Sequence, residues 1–129
     1  MKELKFTTSN TISIPNFFGK LFQLRDQTHL CHLAAKSYAI HMALGSFYDE
    51  LLDLIDGLIE SYQGKYGIQS IIIPSSNSST NELTVLKAFV KSIDDGDIYS
   101  KFKETYMQNQ IDEITKLVYS TIYKLENLK

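Results

Sequence analysis

Apolar residues return every three or four positions through most of this chain, and that period makes helix the main way to bury them. In the last segment Ile98, Phe102, Tyr106, Ile111, Ile114, Val118, Ile122 and Leu125 keep the period from end to end. In an earlier one Leu44, Leu51, Ile55, Leu58 and Tyr62 gather on one side of the helical wheel. A stripe of that kind has to face a core. The punctuation falls between such stretches. Pro15 suits a first turn, where its missing N–H costs little, and Ser37 can cap a second helix. Gly64 suits the left-handed conformation that ends one. Ser79 and Glu82 form a capping box for a third helix, and Asp94-Asp95-Gly96 closes it.

These signals predict helices from Asn16 to about Ala35, from Tyr38 to about Gln63, from Ser79 to about Asp94, and from about Asp97 to Leu128. The last carries a bend at Gln108-Asn109-Gln110. A long connection separates the second helix from the third. Its Ile71-Ile72-Ile73 run is too short for a core helix and is closed by Pro74, so it reads as a short extended segment over a bundle end or a subunit contact. Leu4, Phe6, Ile12 and Ile14 share one alternating face, which marks the first fifteen residues as an extended arm. The expected organisation is an arm over 1–15 and one all-α, four-helix bundle domain over 16–129.

The rest of the composition mainly excludes. A length of 129 residues fits one domain, and 43% hydrophobic with 22% charged residues is not a disordered composition. No apolar run approaches the ~20 residues that span a bilayer, and the stretch from Met1 to Pro15 lacks the apolar block of a signal peptide. One cysteine, Cys31, leaves no internal disulfide, so a reducing cytosol is the expected compartment. The net charge of −2 and the scattered basic residues, with only Lys2 and Lys5 beside Glu3 in the arm, argue against nucleic acid as a partner. The chain has no phosphate-binding glycine loop, nucleophile elbow or zinc-finger spacing.

The chemistry-bearing residues are concentrated. His29, His32 and His41 fall within thirteen positions, and Asp49, Asp53, Asp56 and Glu60 follow on the second helix. Imidazole with carboxylate is a donor set for iron, manganese or zinc. Asp56 and Glu60 are one turn apart and can point the same way. His41, fifteen positions before Asp56, is rotated from it by only about 60° around the axis. The three therefore share a stripe, displaced from the core side of the same helix by roughly 120°. His41 and Asp56 also lie about 22 Å apart along one helix, too far to share an ion within one chain. An antiparallel two-fold pairing of second helices would bring His41 of one copy to Asp56 and Glu60 of the other.

Residues 29 to 60, HLCHLAAKSYAIHMALGSFYDELLDLIDGLIE, resemble the metal-site segment of the Dps-type mini-ferritins. In that family a histidine on the first helix is followed twelve positions later by one on the second, then after fifteen by an aspartate and after four by a glutamate. His29, His41, Asp56 and Glu60 match all three intervals, and Tyr48 matches an aromatic place between them. The resemblance implies a ferritin-like bundle in a dimer-based homo-oligomer, usually of twelve subunits. It implies Fe(II) bound between two-fold-related subunits and oxidised there, a ferroxidase that stores or detoxifies iron. Gly45 stands where the family has an acidic residue, Leu30 where it has a tryptophan, and Ala-Lys-Ser replaces its glycine-containing turn. Asp49 and His32, each one turn from a missing or matched ligand, are the candidate additional ligands.

The ordinary readings stand beside this one. His29 and His41 read as hydrogen-bonded surface or interface histidines, Asp56 and Glu60 as a solvated acidic face, His32 as structural and Cys31 as a small buried side chain. On those readings the chain is a ferritin-like bundle used as a structural or interaction module, without enzymatic activity.

Overall fold

In a computed structural model, which describes residues 12–77 and 81–128, helix α1 (Ile14–Ala34) opens on Ser13. The Ser13 hydroxyl accepts the Asn16 N–H at 3.3 Å, and Pro15 sits in the first turn. Helix α2 (Tyr38–Tyr66) opens in the same way on Ser37, whose hydroxyl accepts the Ile40 N–H at 3.3 Å. The expected stop at Gly64 is passed. The chain leaves α2 at Gly67, where φ is 96° and the N–H donates to the Gln63 carbonyl at 2.8 Å. That conformation is cheap only for glycine. Helix α3 (Glu82–Asp95) is capped by Asn81, whose side-chain oxygen accepts from the N–H groups of Leu83 and Thr84 at 3.0 and 3.2 Å. Ser79, the expected cap, lies outside the described residues, as do residues 1–11 of the expected arm.

The last segment is not one bent helix. A short α4 (Ile98–Lys101) and a long α5 (Thr105–Asn127) are separated at 102–104, ahead of the expected bend. Phe102 leaves the helical conformation, is only 1% exposed, and packs its ring 6.0 Å from Phe17 and 5.7 Å from Tyr62. Driving that ring into the end of the core outweighs helix continuity. Gln108, placed in the expected bend, stays helical, and its side-chain amide donates to the Phe102 carbonyl at 2.8 Å. The carbonyl orphaned by the break thus finds a partner.

The longer helices pack in the cyclic order α1, α2, α5, α3. Helices α1 and α2 are antiparallel, since His32 meets His41 near their joint and Phe18 meets Tyr62 far from it. Lys65 pairs with Glu104 at one end of α2 and α5, while Met42 and Lys124 line one depression at the other, so these two are antiparallel as well. Lys87 near the start of α3 pairs with Glu126 at the end of α5. The directions are therefore up, down, down, up. Because α2 and α3 run the same way, the chain between them must travel the length of the molecule.

It does so along α1, as an extended strap. The Ile72 carbonyl lies over Gly19, where a Cβ would stand 2.1 Å from its oxygen. One turn on, Gln23 donates to the Ser75 carbonyl at 2.9 Å. A further turn on, Gln27 donates to the Asn77 carbonyl and accepts the Asn77 N–H at 3.1 Å. Ile71 packs against the core, whereas Ile72 and Ile73 are exposed.

The side of α2 singled out by the wheel is the buried one: Leu44, Leu51, Ile55 and Leu58 are fully enclosed, with Leu21, Leu86 and Ile111 facing them from the other helices. Each such side chain contributes about 1.5–3 kcal/mol by leaving water. The buried polar residues among those described are Gln27, Thr28 and Thr121, and both threonines bond back to their own helix, at 2.8 Å to Leu24 and 2.9 Å to Leu117. The core therefore holds no carboxylate or imidazole among the described residues. None of the described helices is long and apolar enough to cross a membrane.

Candidate functional site

The histidines meet on the outer side of the α1–α2 hairpin, close to its turn. His32 and His41 stack face to face with ring centres 3.7 Å apart and planes 19° apart. Each ring is tied to the other residue's backbone: His32 Nδ1–H donates to the His41 carbonyl at 2.6 Å, and His41 Nδ1–H donates to the His32 carbonyl at 2.9 Å. A carbonyl can only accept, so both Nδ1 atoms carry the hydrogen, and in the neutral rings the lone pair is on Nε2. Ligand histidines in metal proteins are usually held in this way, with the second nitrogen donating to a backbone oxygen.

One turn earlier on α1, His29 lies flat on Tyr48 of α2, with centres 4.1 Å apart and planes 14° apart. The Arg25 guanidinium lies 5.6 Å from the centre of the same tyrosine ring. Arg25, His29 and His32 thus form one face of α1 at helical spacing, and Tyr48 and His41 answer it from α2. Gly45 completes the contact. A Cβ there would come within 2.9 Å of His32 Cε1 and 3.2 Å of its Nδ1, so the His32 ring occupies the space that a side chain at 45 would need.

The carboxylates lie elsewhere. Asp49, Asp53, Asp56 and Glu60 are exposed along α2, leading away from the turn, and none of them joins the ion pairs among the described residues. No group of three or more His, Cys, Asp or Glu side chains among the described residues is placed to hold a metal. The stack has its own consequence. Imidazole lone pairs lie in the ring plane, so two nearly parallel rings 3.7 Å apart do not converge on one ion. His32 is thereby set up to orient His41 rather than to share an ion with it. The fold brings His29, His32, His41 and Tyr48 together, and leaves Asp49, Asp56 and Glu60 on the same outward side but down the helix. The sequence reading missed Arg25 and the steric role of Gly45.

Two other polar clusters lie away from this site. The Glu104 carboxylate accepts from the Tyr66 hydroxyl and from the Lys65 ammonium at 2.9 Å. The tyrosine bond first, and the lysine second, hold its pKa down to about 2. Burial, with a bond to Asp112, pushes the Tyr99 phenol up to about 12. Cys31 is buried beneath α1, and that burial raises its thiol pKa, which disfavours the reactive thiolate.

A family model described as a family of unknown function (DUF5856) matches residues 32–125, from His32 through most of α5. No curated protein and no solved structure matches the chain.

Proposed function

The chain belongs to the family of unknown function DUF5856, and we propose that it is a ferritin-like, dimer-based homo-oligomer that binds Fe(II) between its copies, oxidises it, and stores or detoxifies it. Two features support the reading. The up, down, down, up order with a single long crossover is the arrangement of ferritin-like bundles. The observation that carries the function is the orientation of His41. Its Nδ1–H is bound to the His32 carbonyl, which leaves Nε2 as the donor for a cation, while Asp56 and Glu60 are exposed on the same helix. An antiparallel pairing of two α2 helices would carry one copy's His41 and His29 to the other copy's Asp56 and Glu60, with Asp49 near the two-fold axis. Iron is the cargo here, and zinc or manganese suits the same donors.

The test is native mass spectrometry with anaerobic Fe(II) addition. The parent should be a closed oligomer that gains iron, and His41→Ala and Asp56→Ala should each gain none while keeping their helices. Unfolded together and reassembled, the two variants should regain about a quarter of the parent's iron, because half the dimers are mixed and each holds one intact site of two. Unchanged iron uptake in both variants would show the assignment to be wrong. No recovery on mixing would remove the intersubunit geometry.

A second reading is favoured by Gly45. The His32 ring closes off the place where an acidic side chain would supply a further oxygen ligand. On that reading the bundle is a structural or interaction protein in an oligomeric assembly, without turnover. A protein that assembles and takes up no iron would establish it.

A further inference from the structure

The strap leaves a short length of backbone open. Its Ile72 carbonyl rests on α1 at Gly19, and in an extended chain neighbouring residues turn their N–H and C=O groups to opposite edges. Ile71 and Ile73 therefore offer theirs on the edge away from α1, and no group among the described residues pairs with them. The open edge is bounded on both sides. Gln63 accepts the Gln69 N–H at 2.9 Å, and Gln23 donates to the Ser75 carbonyl at 2.9 Å. The side chains alternate as well. Ile71 packs against the core, whereas Ile68 and Ile72 are 90% and 78% exposed. From Gly67 to Asn77 there is no charged residue. An uncharged strand edge with exposed β-branched side chains is a template for another extended chain.

We propose that this edge pairs antiparallel with the strap of a second copy, about a two-fold axis through Ile72. The strap is its own complement. Ile71 and Ile73 together hold two free donors and two free acceptors. All of them are satisfied when Ile71 of one copy faces Ile73 of the other, each such pair exchanging both hydrogen bonds. That register sets Ile72 opposite Ile72 of the second copy, at a non-hydrogen-bonded position with Cα atoms about 4.5 Å apart. The two exposed side chains then cover each other. Pro74 does not interrupt the ladder, because its missing N–H belongs to the edge that faces α1. Charge agrees with the choice of partner. Near a two-fold axis each residue meets its own kind, so a charged segment would repel itself, and the strap carries no charge. The pairing draws on none of the histidines or carboxylates of the candidate site.

Disulfide trapping in the full-length protein tests the register. The native Cys31 is buried, so a new surface cysteine is the reactive thiol. Ile72→Cys places two sulfurs across the axis, within reach of a disulfide. Ile68→Cys is the control: the position is more exposed, but its two copies would lie roughly 27 Å apart in this pairing. With glutathione disulfide at micromolar protein, Ile72→Cys should form a linked dimer several-fold faster than Ile68→Cys. Ile72→Lys, at an exposed position that should leave the circular dichroism unchanged, sets two ammonium groups against each other and should lower the mass of the assembly in native mass spectrometry. Equal rates for the two cysteine variants, or no dimer from Ile72→Cys, overturn the proposal. A monomeric parent, or an assembly mass that Ile72→Lys leaves unchanged, does so as well.

Discussion

Replacing a helical glycine with alanine ordinarily stabilises a protein by about 1 kcal/mol, because glycine loses more backbone freedom on folding. Helix α2 offers a matched pair for this rule. A Cβ at Gly64 meets nothing within 4 Å, whereas one at Gly45 falls 2.9 Å from the His32 ring. To restore ordinary contact the ring must retreat by about 0.5 Å, and it has little freedom to do so. It is stacked on His41 at 3.7 Å and donates to the His41 carbonyl at 2.6 Å. Losing that hydrogen bond costs about 1 kcal/mol, and losing the stack costs a further ~0.5–1.5 kcal/mol. Gly45→Ala should therefore be destabilising by about 1 kcal/mol net, while Gly64→Ala stabilises by about the same amount. Urea unfolding with a shared slope reads the difference of about 2 kcal/mol directly. Equal or greater stability of Gly45→Ala relative to Gly64→Ala would refute the interlock of His32, His41 and Gly45.

Three further outcomes follow from the same contacts. Gly19→Ala sets a Cβ 2.1 Å from a backbone oxygen of the strap; the strap should lift, stability should fall by about 2–3 kcal/mol, and limited proteolysis should find a new cut near Ile72. Leu51→Ala, at a fully enclosed position, should cost about 2–5 kcal/mol in urea, and a loss under 1 kcal/mol would show that α2 does not pack as described. Glu104→Gln should lower stability at neutral pH. Its carboxyl titrates near 2 in the folded chain against an ordinary 4.5, so the stabilisation is whole above about pH 4.5 and is lost as pH falls toward 2. Parent and variant should converge over that window, and a gap that persists below it would assign the effect to something other than ionisation.

The core was legible because it depends on period alone. Leu44, Leu51, Ile55 and Leu58 share a wheel side whatever surrounds them, and that side is the buried one. Helix ends depend on less regular causes. Gly64 and Gly67 are alike to a rule about caps, and only the path of the strap makes the second the place of departure. Phe102 keeps the helical period whether or not the helix continues, so periodicity could not reveal that its ring turns inward toward Phe17 and Tyr62. At the candidate site the histidines were visible as a cluster, but their stacking was not. The register of the hairpin holds the missing signal: as an antiparallel pair it sets His29 against Tyr48 and His32 against Gly45, and a glycine facing a ring marks a close approach. The carboxylates were read as off the core, and they are exposed.

The strap has a meaning for how the molecule could be taken apart. Helices α1 and α2 form one hairpin, α3 to α5 form another, and the strap is the only peptide link between them. In thermodynamic terms the bundle is a heterodimer whose halves share a chain, so the tether supplies effective concentration while the interface supplies recognition. The second hairpin has less packing of its own than the first, since α5 lies mainly against α2, so α3 to α5 gain most of their contacts only when the two halves meet. Severed at the strap, the halves would have to find each other as separate partners, held by the apolar faces of α1 and α2 against those of α3 and α5.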